Sequence, residues 1–359
     1  MSHQTSGRGH VPELDGIRGV AILLVLVFHF VHGRALPSAA QHIARVGWIG
    51  VDLFFVLSGF LITGILLREK DSPDYFRRFY RNRVLRIFPL YYCYVGVVFF
   101  VTTVPIWKQL FYWTYFGNLL NATGQPARFM SHFWSLAIEE QFYMLWPLVV
   151  FRLPVRPLTR LCASSIVLIV AVRMAVPHFV LPGREFVYTF TPLRCDALLM
   201  GALVACLHYR NMLASAAPAL RWIALAGIGS FSVGVWIAGS AGYVEPGIAR
   251  FGYVGADLLS AVAVCAAVLW RIPALTGRFL AFFGKYSYGI YVLHFPISQL
   301  LPPAIAPYAS PLRASLLSLV IGTALSCAAA LSSWRLLERR FLALKELPSN
   351  RGAAKQAAA

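Results

Sequence analysis

LDGIRGVAILLVLVFHF, residues 14–30, decides the architecture. Between Arg18 and His29 lie ten residues without a charge or a polar side chain. A helix needs about 20 apolar residues to cross the hydrocarbon core of a bilayer. Asp15, Arg18 and His29 nevertheless sit inside the run, although a charge at mid-membrane costs roughly 2.5–3.5 kcal/mol on insertion scales. Such groups face a protein interior and mark a pathway or a site. At 100° per residue, eleven positions return Arg18 and His29 to nearly one helix face, about 16 Å apart along the axis. That face carries a cation near one membrane surface and an imidazole deep within.

Nine further runs resemble it in length. Residues 87–107, 222–244, 286–312 and 314–334 hold no Asp, Glu, Lys or Arg, and 46–67, 132–151, 161–178, 186–207 and 251–270 hold one or two ionisable groups. The expected fold is therefore all-α, a polytopic transmembrane bundle of about ten spans. The stretch 107–121 (WKQLFYWTYFGNLLN) is aromatic, short and partly polar, so it reads as an interfacial or re-entrant helix. Composition agrees: 58% of the 359 residues are hydrophobic and 13% charged, against about 25% charged in soluble domains. Disorder and a water-soluble globular enzyme are both excluded. The net charge of +18 does not imply nucleic acid, because the basic residues cluster in loops between apolar runs. With the N-terminus inside, Arg68–Arg86, Arg152–Arg160, Arg210, Arg221, Arg271 and Arg278 all fall on the cytoplasmic side, as do the tail cations from Arg335 to Lys355. The expected organisation is a cytoplasmic tail (1–11), a membrane domain (12–342) and a disordered cytoplasmic tail (343–359). A cleavable signal peptide and a further soluble domain are not expected. Six cysteines fall singly, without metal-ligand spacing, so no metal site is expected.

Three constellations carry chemistry. Arg18 and His29 are the first; the structural alternative is a snorkelling Arg and a His bonded within the bundle. In HFWSLAIEEQFY (132–143), His132, Ser135 and Glu139 share a helix face, with Glu140 pointing elsewhere. There a buried carboxylate can orient an imidazole and strengthen it as a base, or simply pair with a buried Arg. Arg83 and Arg86, spaced i,i+3, suit bidentate contact with phosphate, although topology alone explains most of that cluster. Asp52, Arg194, Asp196, Asp257 and His294 are further ionisable groups in apolar runs. Arg194 and Asp196 cannot face each other on a regular helix, though Pro192 is placed to distort it. Trp134, Tyr143 and Tyr291 suit stacking on a sugar or plain packing.

Together, LDGIRGVAILLVLVFHF (14–30), GVDLFFVLSGFLITGIL (50–66), FWSLAIEEQFYMLWP (133–147) and YSYGIYVLHFPI (286–297) resemble the acyltransferase 3 family of membrane-bound O-acyltransferases. RNRVLRIFPLYY (81–92) and LRCDALLMGAL (193–203) also fit its pattern, and the resemblance runs from residue 12 to about 342. One departure is Arg339 after Glu338, where the family often has Glu-Pro. The resemblance implies a bacterial inner-membrane enzyme that takes an acyl group, usually acetyl, from cytosolic acyl-CoA (acetyl-CoA) to a sugar hydroxyl of an envelope glycan, lipid-linked saccharide or other glycoside. His29 and Arg18 match its Arg-x10-His pair, and Arg83 and Arg86 its Arg-x-x-Arg motif. On that basis His29 is expected as general base or acyl carrier, held by Glu139 or Asp52, with Arg18 or Arg194 beside the thioester oxygen and Arg83 and Arg86 on the donor's phosphates. Trp134, Ser135, Glu140, Arg194, Asp196 and His294 are expected to bind or support the acceptor. Many relatives carry a fused extracytoplasmic domain, so this chain is expected to act alone or to hand over to a separate extracytoplasmic acyl-handling protein. A sugar or lipid transporter and a scaffold stay open as alternatives; neither needs acyl-CoA.

Overall fold

In a computed structural model of the chain, the described residues are 11–31, 44–175 and 185–345. The expected tails, apart from Val11 and residues 343–345, and the outer charges Arg34 and Arg184 lie outside them. The described residues are helical with no strands. Ten helices of fourteen residues or more are α1 (Pro12–Phe30), α2 (Ile49–Glu69), α3 (Tyr75–Val101), α4 (Trp134–Arg152), α5 (Val155–Ala175), α6 (Asp196–Tyr209), α7 (Leu220–Ala238), α8 (Tyr253–Leu269), α9 (Arg278–Ile305) and α10 (Pro311–Ser333). Among the described residues, six helical stretches are long and apolar enough to cross a membrane, and these contain α2, α3, α5, α7, α8 and α10. The expected ten is thus met by six. Helices α1, α4 and α9 carry too many ionisable or polar groups, and α6, at fourteen residues, is only about 21 Å long.

Differences from the sequence expectation have local causes. The basic stretch expected as a loop up to residue 86 is helical from Tyr75, since no Gly or Pro interrupts 75–88. The run 186–207 is not one helix. Two short turns, Phe186–Thr189 and Thr191–Arg194, precede α6, and Pro192 sits at the start of the second. Residues 107–121 form parts of two short helices, Ile106–Trp113 and Gly117–Ala122, broken at Tyr115 in the left-handed region (φ 58°). Eight residues rise only about 12 Å, far short of the hydrocarbon thickness.

Helix α2 crosses α6 very closely, because Gly59 and Gly201 each lie against the other helix's backbone. A Cβ at either would overlap the carbonyl of Leu198 or Val56. Helices α1 and α9 run side by side, held close by Gly19 and Gly284, while Gly16 lies against Leu275 in the turn before α9. The outer helices present bare apolar side chains: Val167 and Leu168 on α5, Trp236 on α7 and Val320 on α10 are each more than 60% exposed. Such a surface suits lipid rather than water. Buried ionisable side chains include Glu13 on α1, Asp52 on α2, Glu140 on α4, Arg173 on α5, Asp196 on α6, Asp257 on α8 and His294 on α9.

Candidate active site

Two cavities follow one another along α1. The first, about 400 Å³, lies between α1, α2, α3, α4 and α9. Four cations line it: Arg18, Arg83, Arg86 and Lys345, just beyond the last helix. Glu139 is the single carboxylate in that lining. Its Oε1 accepts a hydrogen bond from Ser58 Oγ at 2.6 Å. Arg83 lies over the ring of Tyr143 (5.4 Å) and Arg18 Nη1 is 2.5 Å from Asp15 Oδ1. Burial, then Arg86 and Arg83, push the Lys345 ammonium down to about 8. Crowded cations with one opposing charge suit a polyanion with several phosphates.

The second cavity, about 200 Å³, sits at the other end of α1 around His29. Its walls are aromatic, with Trp48, Trp134, Tyr188, Tyr243 and Phe295, and its polar groups include His132 and Glu185. Val51 and Tyr291 line both cavities. Tyr291 Oη donates to the His132 carbonyl at 2.9 Å and lies 2.5 Å from Ser135 Oγ, so this pair forms the partition.

The hydrogen-bond network assigns the tautomers. His294 Nδ1 lies 2.7 Å from the Tyr291 carbonyl, which can only accept, so that nitrogen carries the proton. His29 Nδ1 lies 2.9 Å from the Val25 carbonyl and 3.3 Å from His294 Nε2. Its proton therefore points to those two acceptors, which places the His29 lone pair on Nε2. His132 is fixed by a proline. Pro296 has no N–H for the carbonyl of Val292, and His132 Nε2 donates to that carbonyl at 3.2 Å. The His132 lone pair is on Nδ1, buried without a partner among the described residues.

The structure brings Arg18, Arg83, Arg86, Ser135 and Glu139 to the first cavity, and His29 and Trp134 to the second. Asp52, Glu140, Arg194, Asp196 and His294 line neither. Neither carboxylate expected to hold His29 is beside its Nδ1. Glu139 is bonded to Ser58 in the other cavity, and Asp52 pairs with Arg194. Arg194 is fully buried, 4.4 Å from the Tyr253 ring. Asp196 pairs with Arg173 at 2.6 Å, which is how the i,i+2 neighbours Arg194 and Asp196 each find another partner. Glu140 is buried, and its Oε1 has no hydrogen-bond partner among the described residues. His294 lies behind His29, its Nε2 3.3 Å from His29 Nδ1. Ser58, Glu185, Tyr243 and Lys345 were not legible as site residues. Glu185 stands at the edge of an apolar run, and Lys345 reads as one of many tail cations.

An all-helical chain with buried charges and paired cavities defines a membrane-type helical catalyst or carrier, and comparison with known proteins decides between them. The profile of the acyltransferase domain family (Acyl_transf_3) matches residues 11–335, so the chain belongs to this family. It is similar to the peptidoglycan O-acetyltransferase OatA of Listeria monocytogenes serovar 1/2a (32% identical over 330 residues, 83% of this chain and 51% of the relative). It is likewise similar to the putative peptidoglycan O-acetyltransferase YrhL of Bacillus subtilis (33% over 334 residues, 84% and 51%). The O-acetyltransferase OatA of Staphylococcus aureus strain NCTC 8325 is 28% identical over 317 residues, 80% of this chain and 50% of the relative. The chain spans about half the length of these curated relatives. No solved structure gives a significant match.

Proposed function

We propose that the chain is an integral-membrane O-acyltransferase that moves an acetyl group from acyl-CoA to a sugar hydroxyl of the cell envelope. The names of its relatives point to peptidoglycan as the acceptor polymer. One observation carries the reading: a cavity lined by four cations and a cavity built around an imidazole share the lining residues Val51 and Tyr291, with Arg18 and His29 of one helix serving one each. The donor's phosphates bind Arg83, Arg86 and Lys345. Its pantetheine arm reaches along α1 past Arg18 toward Tyr291, over the about 16 Å that separates Arg18 from His29. The acceptor lies in the second cavity.

In the direct route His29 Nε2 takes the acceptor's hydroxyl proton. The oxygen then attacks the thioester carbonyl carbon, the C–S bond breaks, and the CoA thiolate leaves with the proton that His29 returns. General-base help of this kind is worth on the order of 100- to 10,000-fold. In the stepwise route Nε2 itself takes the acetyl group from sulfur and passes it to the alcohol. Labelled acetyl-CoA without acceptor separates the two, because only the stepwise route leaves label on the histidine. In this reading the ten longer helices together form the membrane domain, with both termini on the cytoplasmic side, an orientation that the bias of the loop cations supports. The test is His29→Ala in membranes where the protein is inserted at wild-type level. Loss of acetyl transfer supports the reading, and unchanged transfer ends it.

A further inference from the structure

The two cavities carry opposite charge. Among the described residues, the lining of the first has four cations and one carboxylate, and the lining of the second has Glu185 and neither Lys nor Arg. Glu185 is held in place. Tyr243 Oη donates to its Oε1 at 2.8 Å, and Tyr253 Oη in turn donates to the Tyr243 carbonyl at 2.5 Å. The second carboxylate oxygen remains an acceptor for a ligand. Beside it, the Tyr188 ring centroid is 4.4 Å from those of both Trp134 and Tyr243, making a continuous aromatic wall. An aromatic wall of tilted rings (50° and 43° between neighbouring planes) with one fixed carboxylate is the chemistry of a pocket for a ring that is apolar on its faces and rich in O–H or N–H donors at its edge.

We propose that Glu185 sets acceptor specificity: the second cavity is a subsite for one neutral sugar ring, stacked on the aromatic wall, with a hydroxyl or amide N–H donated to Glu185. The same carboxylate repels a ring bearing its own carboxylate, and it keeps the polyanionic donor in the cationic cavity. This deepens the reading of His29 and rests on it. Glu185 is a specificity residue here, distinct from the base.

The experiment uses the full chain in lipid nanodiscs with radiolabelled acetyl-CoA and three probes: methyl β-glucoside, methyl β-N-acetylglucosaminide and methyl β-glucuronide. Wild type is expected to acetylate the neutral rings and to disfavour the glucuronide. Glu185→Gln keeps size and an acceptor oxygen but removes the charge, so the neutral-to-acidic ratio of kcat/KM should shrink about tenfold or more. Glu185→Ala should raise KM for the neutral rings about tenfold while the KM for acetyl-CoA stays put. Tyr243→Phe, which removes only the brace, should fall between wild type and Glu185→Ala. An active Glu185→Gln enzyme with an unchanged ratio overturns the proposal, as does a wild type that uses the glucuronide as readily as the neutral rings or uses neither neutral ring. Failure of the underlying reading looks different: His29→Ala would then acetylate like wild type, whatever the ratio does.

Discussion

Asp52→Asn separates structural support from chemistry. Asp52 and Arg194 are both fully buried and form an ion pair across the α2–α6 crossing region. Removing one partner of a buried pair typically costs about 3–5 kcal/mol, because the other charge is left without its counter-ion. The low end applies here. The Asn side chain still offers an oxygen, and the rings of Tyr253 (4.4 Å) and Tyr188 (5.2 Å) face the guanidinium. We therefore expect a loss of about 3 kcal/mol, roughly a 150-fold shift in the folding equilibrium. The Asp52→Leu/Arg194→Met double variant, which removes both charges and keeps bulk, should recover most of it. Reversible unfolding in mixed detergent micelles, followed by Trp fluorescence, measures all three. A fully stable Asp52→Asn protein without acetyl transfer would refute the structural assignment and return Asp52 to the reacting centre.

Three other outcomes follow from the geometry. His294→Phe removes one of the two acceptors facing the His29 Nδ1 proton and leaves the Val25 carbonyl, so kcat should fall about tenfold with the KM for acetyl-CoA unchanged; a change in KM alone would argue against an orienting role. The Lys345 ammonium, lowered to about 8, is charged below that pH and neutral above it. Donor binding to the basic cavity should therefore weaken as pH rises from 7 to 9; Lys345→Arg should flatten that profile, and a wild-type-like slope in Lys345→Ala would exclude the lysine. Gly201→Val places a side chain against the Val56 carbonyl at the α2–α6 crossing, so folded yield should drop sharply, whereas Gly239→Asn, at a left-handed position (φ 64°) with open space, should express normally.

Apolar runs of membrane length marked most of the longer helices, although the run 186–207 is broken before α6 and α3 begins at Tyr75, well ahead of its apolar run. Helical periodicity also placed Arg18 and His29 on one face, since a helix fixes that geometry by itself. What it could not give was partnership between helices. The family resemblance led to Glu139 or Asp52 as the carboxylate behind His29, but Ser58 and Arg194 claim them from elements 81 and 142 residues away in the chain. Pro296 in the segment HFP does carry a readable consequence, an unsatisfied carbonyl at Val292. Which donor answers it, His132, depends on a packing contact 160 residues distant in sequence. Glu185 and Lys345 were invisible for the same reason: nothing local distinguishes a loop carboxylate or a tail lysine that turns into a cavity from one that faces water.

The helices that fail the simple membrane criterion are largely those that carry the candidate chemistry. Helix α1 brings Arg18 and His29, α4 brings Ser135 and Glu139, and α9 brings Tyr291 and His294. Their polar groups are too costly for lipid contact, so they require the apolar sheath that α3, α5, α7 and α10 provide. The sheath in turn has little internal burial of its own; across its most apolar stretches a third or less is buried. Hydropathy therefore sorts this bundle by role: a stretch that reads as a weak span is better searched for reactive groups than discarded as a non-span. On that argument, charge substitutions on the outer faces of α5 and α7 should impair insertion while sparing turnover per inserted molecule, and substitutions at the cavity positions of α1, α4 and α9 should do the reverse.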